Sequence, residues 1–585
     1  MEEIKKTYIF KNFLWAINTI FSLDSKYIVL NIFSLIMKGV TPAIYVLLTQ
    51  KIINSLQLND NRIMIFLLGY IIIELIEGVY SNFFEYYRIK FNLNINLKVK
   101  ELIMSKISKL KLQDFEDSET YDVINRARNE SEGKVSSYID GFLYGISSII
   151  TLVSFIGIIV SFKIWIVVII LVIPCIKYAI SKKINTMSFN IIMNRTNRER
   201  KSWYIQYLLT YGDFFKELKL NNLFSYFSKK YIRYNLEFNE QDIKLARQKM
   251  LLMVSATAIE IIIDGFIFYK IINYGYAGEI LIGSVVMYMS SISRSKMKLT
   301  EILQLWATTN KESFFMDQLI YFFNLPEKGD NSSLEIDRIE RIECKDLSFK
   351  YKKEDTYILK KLNFKIEKNE KIAIVGRNGS GKTTLIKILL GFYDDYEGNI
   401  YVNGIDLRDI NRNSYMKKVS CLFQDFIKYE GTFRENIAYG NLEYIDCEEK
   451  LYSVAKMFDL STLIRNSEKK IDSQIGYWFD NGKQISLGEW QKVALARTVI
   501  KDSDLVVLDE PNSSLDAISE YRIRELYNNV LEGKIGIIII HKFKNITTEM
   551  NRILVLNNGH IEEEGTHNEL IRLDGIYTEL YKCQD

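Results

Sequence analysis

Six long apolar runs, joined by links of two very different kinds, constrain this chain more than anything else in it. The runs lie near residues 27–55, 62–87, 137–162, 164–181, 251–275 and 280–305, and most exceed the ~20 residues that a helix needs to cross a bilayer. Three links, "LQLND", Lys163 and "YAGE", are very short, whereas residues 88–136 and 182–250 are long, polar and rich in Lys and Arg. Basic loops stay on the cytoplasmic side. The pattern therefore predicts six crossings of the cytoplasmic membrane, both termini in the cytosol, and helices that continue far beyond the bilayer on one side only. The opening "MEEIKKTYIFKNFLWAINTIF" lacks the unbroken apolar core and small-residue cleavage site of a signal peptide. It reads as an amphipathic helix lying on the inner membrane face.

Beyond about residue 330 strand and helix patterns alternate with ordinary polarity. The stretch "NLPEKGDNSS" (324–333) holds one of only four prolines and is the natural joint. The expected division is a transmembrane domain over 1–325, a linker over 326–338 and a soluble α/β domain over 339–585. Lys and Arg number 76 against 72 Asp and Glu, so the basic excess of a nucleic-acid binder is missing and no such partner is expected. Five cysteines, Cys175, Cys344, Cys421, Cys447 and Cys583, have no metal-ligand spacing. Neither a disulfide framework nor a zinc site is expected.

In the soluble half the apolar strand "KIAIV" (371–375) runs into "GRNGSGKTT" (376–384) and then the helical "LIKILLGF". That is G-x-x-x-x-G-K-[ST] in the strand, loop and helix context that gives the motif its meaning. Gly376, Gly379 and Gly381 let backbone N–H groups curl around phosphate oxygens at a helix N-terminus, with Arg377, Asn378, Ser380 and Thr384 completing the loop. Lys382 reaches the β and γ phosphates, and Thr383 offers a hydroxyl to Mg²⁺. Downstream, "LVVL" (505–508) leads to Asp509 and Glu510. A buried strand ending in two carboxylates suits a metal-binding Asp followed by a water-polarising Glu.

These residues resemble the nucleotide-binding domain of an ABC transporter. In that family's order, the resemblance makes Tyr351 in "FKY" the aromatic that stacks on adenine and Gln424 in "CLFQD" the sensor between metal and membrane domain. It places the signature at "ISLGE" (485–489), the D-loop at "SSLD" (513–516) with Asp516, and the switch histidine at His541. The family's signature reads L-S-G-G-Q. Here Ser486 and Gly488 remain, Leu487 replaces the first glycine and Glu489 the glutamine. Leucine resists a positive φ, so the first change is harmless only where ordinary dihedrals are required. Glu489 brings a negative charge toward a phosphate, which weighs on affinity more than on chemistry. With Glu510 and His541 both present, the site is expected to hydrolyse ATP with Mg²⁺.

The link segments "LKLQDFEDSETYDVINRA" (110–127) and "YGDFFKELKLNN" (211–222) resemble the two coupling helices of ABC exporters, and "GEILIGSVVMY" (278–288) the start of their sixth crossing. The resemblance implies a multi-domain membrane protein, an all-α six-helix exporter domain followed by an α/β P-loop ATPase domain, working as a dimer of itself or with a different half-transporter. "GYWFDNGKQIS" (476–486) running into "GEWQKVALAR" resembles the lantibiotic and bacteriocin peptide exporters. About 26 residues precede the first run, and the first cysteine is Cys175. No cysteine peptidase domain is therefore expected, and a separate leader protease and peptide-modifying enzymes join the membrane lipid and the peptide as expected partners. Lipid or drug export and membrane sensing are the alternatives. At 1.5 Å per residue, Glu74 and Glu77 on the second run and Glu260 and Asp264 on the fifth share one depth, roughly 15 to 22 Å below the outer surface. Lys177 and Arg294 fall near it. The remaining excess of two negative charges predicts a cavity that favours a cationic cargo; internal ion pairing is the competing expectation.

Overall fold

The computed structural model describes residues 12, 14–15, 25–130, 133–327, 334–352, 354–511, 530–540 and 547–583. Its contacts divide the chain into two compact units, Met1–Ser108 with Ser118–Pro326 and Lys109–Asp117 with Glu327–Asp585. The second unit thus takes in nine residues that the sequence reading assigned to the transmembrane domain, because the short helix Leu112–Glu116 makes its contacts with the soluble half.

The first unit is helical. Six long helices are described, Ser25–Leu58, Ile63–Ser108, Lys134–Val160, Ile164–Thr210, Leu223–Tyr276 and Ile282–Phe323. The fifth has 54 residues, about 80 Å at 1.5 Å per residue against a hydrocarbon core of about 30 Å. Such helices must run well outside the bilayer. The first packs on the second, third and sixth, the third on the sixth, and the fourth on the fifth. Five of the six are long and apolar enough to cross a membrane. Among the described residues the sixth falls outside that measure of length and composition, because it carries Arg294, Lys296 and Lys298 within its first 17 residues. None of the most apolar window of Ile63–Ser108 is buried within the chain. A face of that kind belongs against lipid or another chain. Of the N-terminal segment only residues 12, 14 and 15 are described, in helical conformation. Asn12 Nδ2 donates to the Ser313 carbonyl and hydroxyl and to Asp317 Oδ1, at 3.2, 3.0 and 2.6 Å.

The second unit holds a six-stranded sheet in the order His560–Gly565, Arg552–Asn557, Lys371–Val375, Ile535–Ile539, Leu505–Asp509, Val419–Leu422. Four of its five pairings are parallel, the exception being the edge pair His560–Gly565 with Arg552–Asn557. Parallel strands buried on both faces read as continuous apolar runs, and "KIAIV", "LVVL" and "IGIII" do so, nearly every residue fully buried. A four-stranded antiparallel sheet, from Arg341–Phe349, Leu359–Glu367, Glu397–Val402 and Ile405–Asp406, packs into the core on one side. In open α/β sheets ligands collect beyond the carboxyl ends of the parallel strands. Four strand ends meet there, Val375, Leu422, Asp509 and Ile539, held in register by the pairs Ile374↔Ile539, Asp509↔Ile539 and Leu422↔Leu508.

Candidate nucleotide-binding site

Beyond Val375 the chain makes a tight loop before the helix Lys382–Leu389. Only glycine fits at two of its positions. A Cβ on Gly376 would lie 2.1 Å from the Leu556 carbonyl oxygen, and one on Gly381, which has φ +103°, would lie 2.6 Å from Leu359 Cδ2. The loop borders a cavity of about 520 Å³ lined by Ile358, Asn378, Gly379, Ser380, Gly381, Lys382, Thr383, Thr384, Gln424 and Glu510. All but Ile358 were nominated from the sequence; Ile358 lies in the bend just before the strand Leu359–Glu367, and no motif marks it. Two observations show that a polyphosphate fits. The Ser380 hydroxyl is buried in the loop without a hydrogen-bond partner among the described residues, a donor suited to a phosphate oxygen. The buried Lys382 ammonium donates to the Gly376 and Arg377 carbonyls at 2.9 and 3.1 Å, which holds it over the loop. Burial pulls its pKa below the ordinary lysine range, against the attraction of Glu510 and Asp509.

Asp509 closes its strand and is buried; burial and the neighbouring Glu510 push its carboxyl up to about 6, while Lys382 pulls it down and Asp425 adds to the rise. Glu510 follows in a left-handed conformation, φ +49°, uncommon for a residue with a Cβ and found where a site requires it. Its N–H donates to the Ile539 carbonyl at 3.0 Å, and its Oε2 accepts from Gln424 Nε2 at 2.8 Å. Gln424 and Glu510, 86 residues apart, are thus one hydrogen-bonded pair. Among the described residues no three His, Cys, Asp or Glu side chains converge as a metal cage. Thr383, Gln424 and Asp509 form a sparse oxygen set, which suits Mg²⁺ held largely by phosphates and water. Tyr351 stands beside the loop, its hydroxyl 3.1 Å from Thr384 Oγ1 and its ring edge-on to Tyr393. Arg377 points outward to Glu579, 2.9 Å away in an exposed pair.

Ser486, Gly488 and Glu489 lie elsewhere in the unit, at the start of the helix Leu487–Ile500. Ser486 caps it: its hydroxyl accepts from the Glu489 N–H, and Glu489 Oε2 accepts from the Ser486 N–H at 2.7 Å. The Glu that replaces the family's glutamine therefore completes a capping box. Leu487 is the first helical residue, half exposed at 48%, with no positive φ. Tyr477, Trp478 and Phe479, in the preceding loop, are all exposed. Asp516 and His541, with the rest of 512–529 and 541–546, lie outside the described residues.

In the membrane unit Glu260 and Asp264 are ion-paired. Lys177 bonds Glu260, and Lys296, itself buried, bonds Asp264 and stands 3.4 Å from Glu260. This corrects the expected surplus of free acid on the fifth helix, because a carboxylate withdrawn from water needs a partner and takes the one that packing supplies. The partner on the sixth helix is Lys296; Arg294 is exposed. Glu74 is exposed on the second helix, and Glu77 sits beside the Tyr45 hydroxyl.

Residues 359–513 match the ABC transporter family. The chain is 35% identical to the subtilin transport ATP-binding protein of Bacillus subtilis over 99% of its own length and 95% of that protein's. It is 31% identical to the nisin transport ATP-binding protein of Lactococcus lactis subsp. lactis, over 99% and 98% of the two chains. A solved bacterial Atm1-family ABC exporter with ATP bound has the same fold, with a TM-score of 0.75 at 20% identity over 96% of this chain and 99% of that one. With helical membrane unit, phosphate loop and full-length relatives all in agreement, the chain belongs to the ABC transporter family, as an exporter half-transporter whose membrane domain is fused to an ATP-hydrolysing domain.

Proposed function

We propose that two copies of this chain form a dimer in the cytoplasmic membrane and use ATP hydrolysis to export a small lantibiotic-like peptide, with both termini in the cytosol. The observation that carries the cargo class is the full-length similarity to the subtilin and nisin transport proteins. In this reading the loop Gly376–Thr384 binds phosphates through its N–H groups, the Ser380 hydroxyl and the Lys382 ammonium, and Tyr351 stacks on adenine. Thr383, Gln424 and Asp509 would hold Mg²⁺, which when bound neutralises phosphate charge. Glu510 takes the proton from the attacking water, oriented by its hydrogen bond to Gln424. Ser486 and Gly488 close over the other copy's nucleotide. Asp516 and His541 keep the D-loop and switch roles that the resemblance implies.

A cationic preference now rests on Glu74 and Glu77 alone, since Glu260 and Asp264 have their own lysines. The second reading, lipid export, draws on the ATP-dependent lipid A-core flippase of Hahella chejuensis, 31% identical over 52% of this chain and 52% of that protein. The two part in inverted membrane vesicles offered a labelled nisin-type precursor peptide or a labelled phospholipid. ATP-dependent peptide uptake that vanishes in Glu510→Gln is expected; ATP-dependent lipid movement with no peptide uptake would overturn the peptide reading.

A further inference from the structure

The helix Leu112–Glu116 grips one short stretch of the second unit, the end of the phosphate-loop helix and the segment after it. Lys111 Nζ meets Asp394 at 3.1 Å, and Gln113 Nε2 donates to Asp395 at 2.6 Å. Leu112 packs on the same apolar cluster as Tyr351. Glu116 does more than hold the surface. Its Oε1 accepts from Lys387 Nζ at 3.0 Å, and Lys387 lies on the helix that begins at Lys382. Its Oε2 accepts from the Tyr393 hydroxyl at 2.6 Å.

Tyr393 is 1% exposed, so its hydroxyl cannot turn to water for a substitute partner. Its ring stands edge-on to Tyr351 at 6.0 Å, and the Tyr351 hydroxyl is tied in turn to Thr384. The orientation of Tyr351 is therefore fixed from two sides, by the phosphate loop through Thr384 and by Glu116 through Tyr393. We propose that Glu116 is a positioning residue for the base-binding side of the ATP site: by bridging Lys387 and Tyr393 it holds the Tyr351 ring where an adenine stacks. Residues 108 and 118 on either side belong to the membrane unit. The Tyr351 ring is thus positioned from a segment whose flanking residues in the chain belong to the other unit.

The inference rests on the reading of Tyr351 as the adenine-stacking side chain, and the test separates the two. Full-length transporter in lipid nanodiscs is assayed for the KM of ATP and for inhibition by inorganic tripolyphosphate, which has phosphates but no base. Tyr351→Ala is expected to raise KM about tenfold and leave tripolyphosphate inhibition unchanged, because stacking is lost and phosphate contacts stay. Tyr393→Phe and Glu116→Ala are expected to raise KM about threefold with kcat within about twofold of the parent, again without touching tripolyphosphate. Glu116→Gln, which keeps an oxygen for Tyr393, is expected to recover most of the affinity, and Glu116→Ala/Tyr351→Ala to be no worse than Tyr351→Ala alone. Normal KM in Tyr351→Ala would remove the stacking reading and this inference with it. If Tyr351→Ala raises KM while Tyr393→Phe and Glu116→Ala do not, or if Glu116→Ala weakens tripolyphosphate equally, the stacking reading survives and the role of Glu116 is refuted.

Discussion

Glu510 holds a left-handed backbone, and a left-handed residue with a Cβ pays roughly 1–2 kcal/mol for it. Glu510→Gln keeps that strain and removes the base. It is expected to abolish turnover while ATP still binds, read as phosphate release against nucleotide retention; normal turnover would place the base elsewhere. Glu510→Gly should be equally inactive yet more stable than Glu510→Ala by about 1 kcal/mol, measured by thermal melting, because glycine takes φ +49° freely. Asp509 carries a second cost. Its folded pKa, about 6, lies above the ordinary aspartate value, so between about pH 4 and 6 the folded state binds more protons than the unfolded one. Nucleotide-free protein therefore gains from this residue as pH falls through 6, and loses about 3 kcal/mol above it. Asp509→Asn is expected to raise the melting temperature over the parent in EDTA at pH 8, with the gap closing by pH 4, while ATPase activity is lost. An equal gap at both pH values would contradict it. Motif spacing made these two acids legible, since a strand that must be apolar ends where the site begins. The backbone of Glu510 was not legible, because nothing in "LDEP" requires a positive φ.

At the scale of elements, the signature helix and the intramembrane charges divide what sequence can show from what packing decides. "SLGE" reads as a working signature with two substitutions, yet Ser486 and Glu489 also satisfy the pattern of a helix start, and the structure uses them so. Leu487→Gly should cost up to about 1 kcal/mol of helix stability and leave ATPase activity equal or higher; a collapse of activity would show the leucine to be a required contact. For Asp264 the sequence supplied depth but not direction. Arg294 and Lys296 differ by only two positions, but two residues turn a helix by about 200°. Depth along the axis admits both, and only the packing of the fifth helix on the sixth selects Lys296. Lys296→Met is expected to lose roughly 3 kcal/mol, since it leaves the half-buried Asp264 without its lysine. Lys296→Met/Asp264→Asn should recover much of that, because Lys177 still pairs Glu260. Melting temperatures in one detergent check both, and a double variant as weak as the single would count against pairing as the reason for these charges.

At the scale of the whole molecule, each chain carries one phosphate loop and one signature, and the loop's cavity is lined by neither Ser486 nor Gly488. In the proposed dimer a working site would take its loop from one copy and its signature from the other, and this arrangement makes a prediction that no single-chain site shares. Lys382→Ala disables the loop, and Ser486→Trp disables the signature by removing the hydroxyl and filling the space before the helix. Each variant, expressed alone, should be inactive, because both sites of its dimer contain the damaged part. Co-expressed, half of the dimers formed at random are mixed, and in those one site joins an intact loop to an intact signature. Single-turnover hydrolysis by the mixture should return toward about a quarter of the parental burst, the remaining sites each holding at least one damaged partner. Placing both substitutions on one chain and pairing it with the parent reverses the outcome: within the mixed dimer each site then holds one damaged half, and activity comes only from parental dimers. Were each chain to complete its own site, co-expression of the two single variants would restore nothing, and the doubly substituted chain would leave its parental partner at full activity.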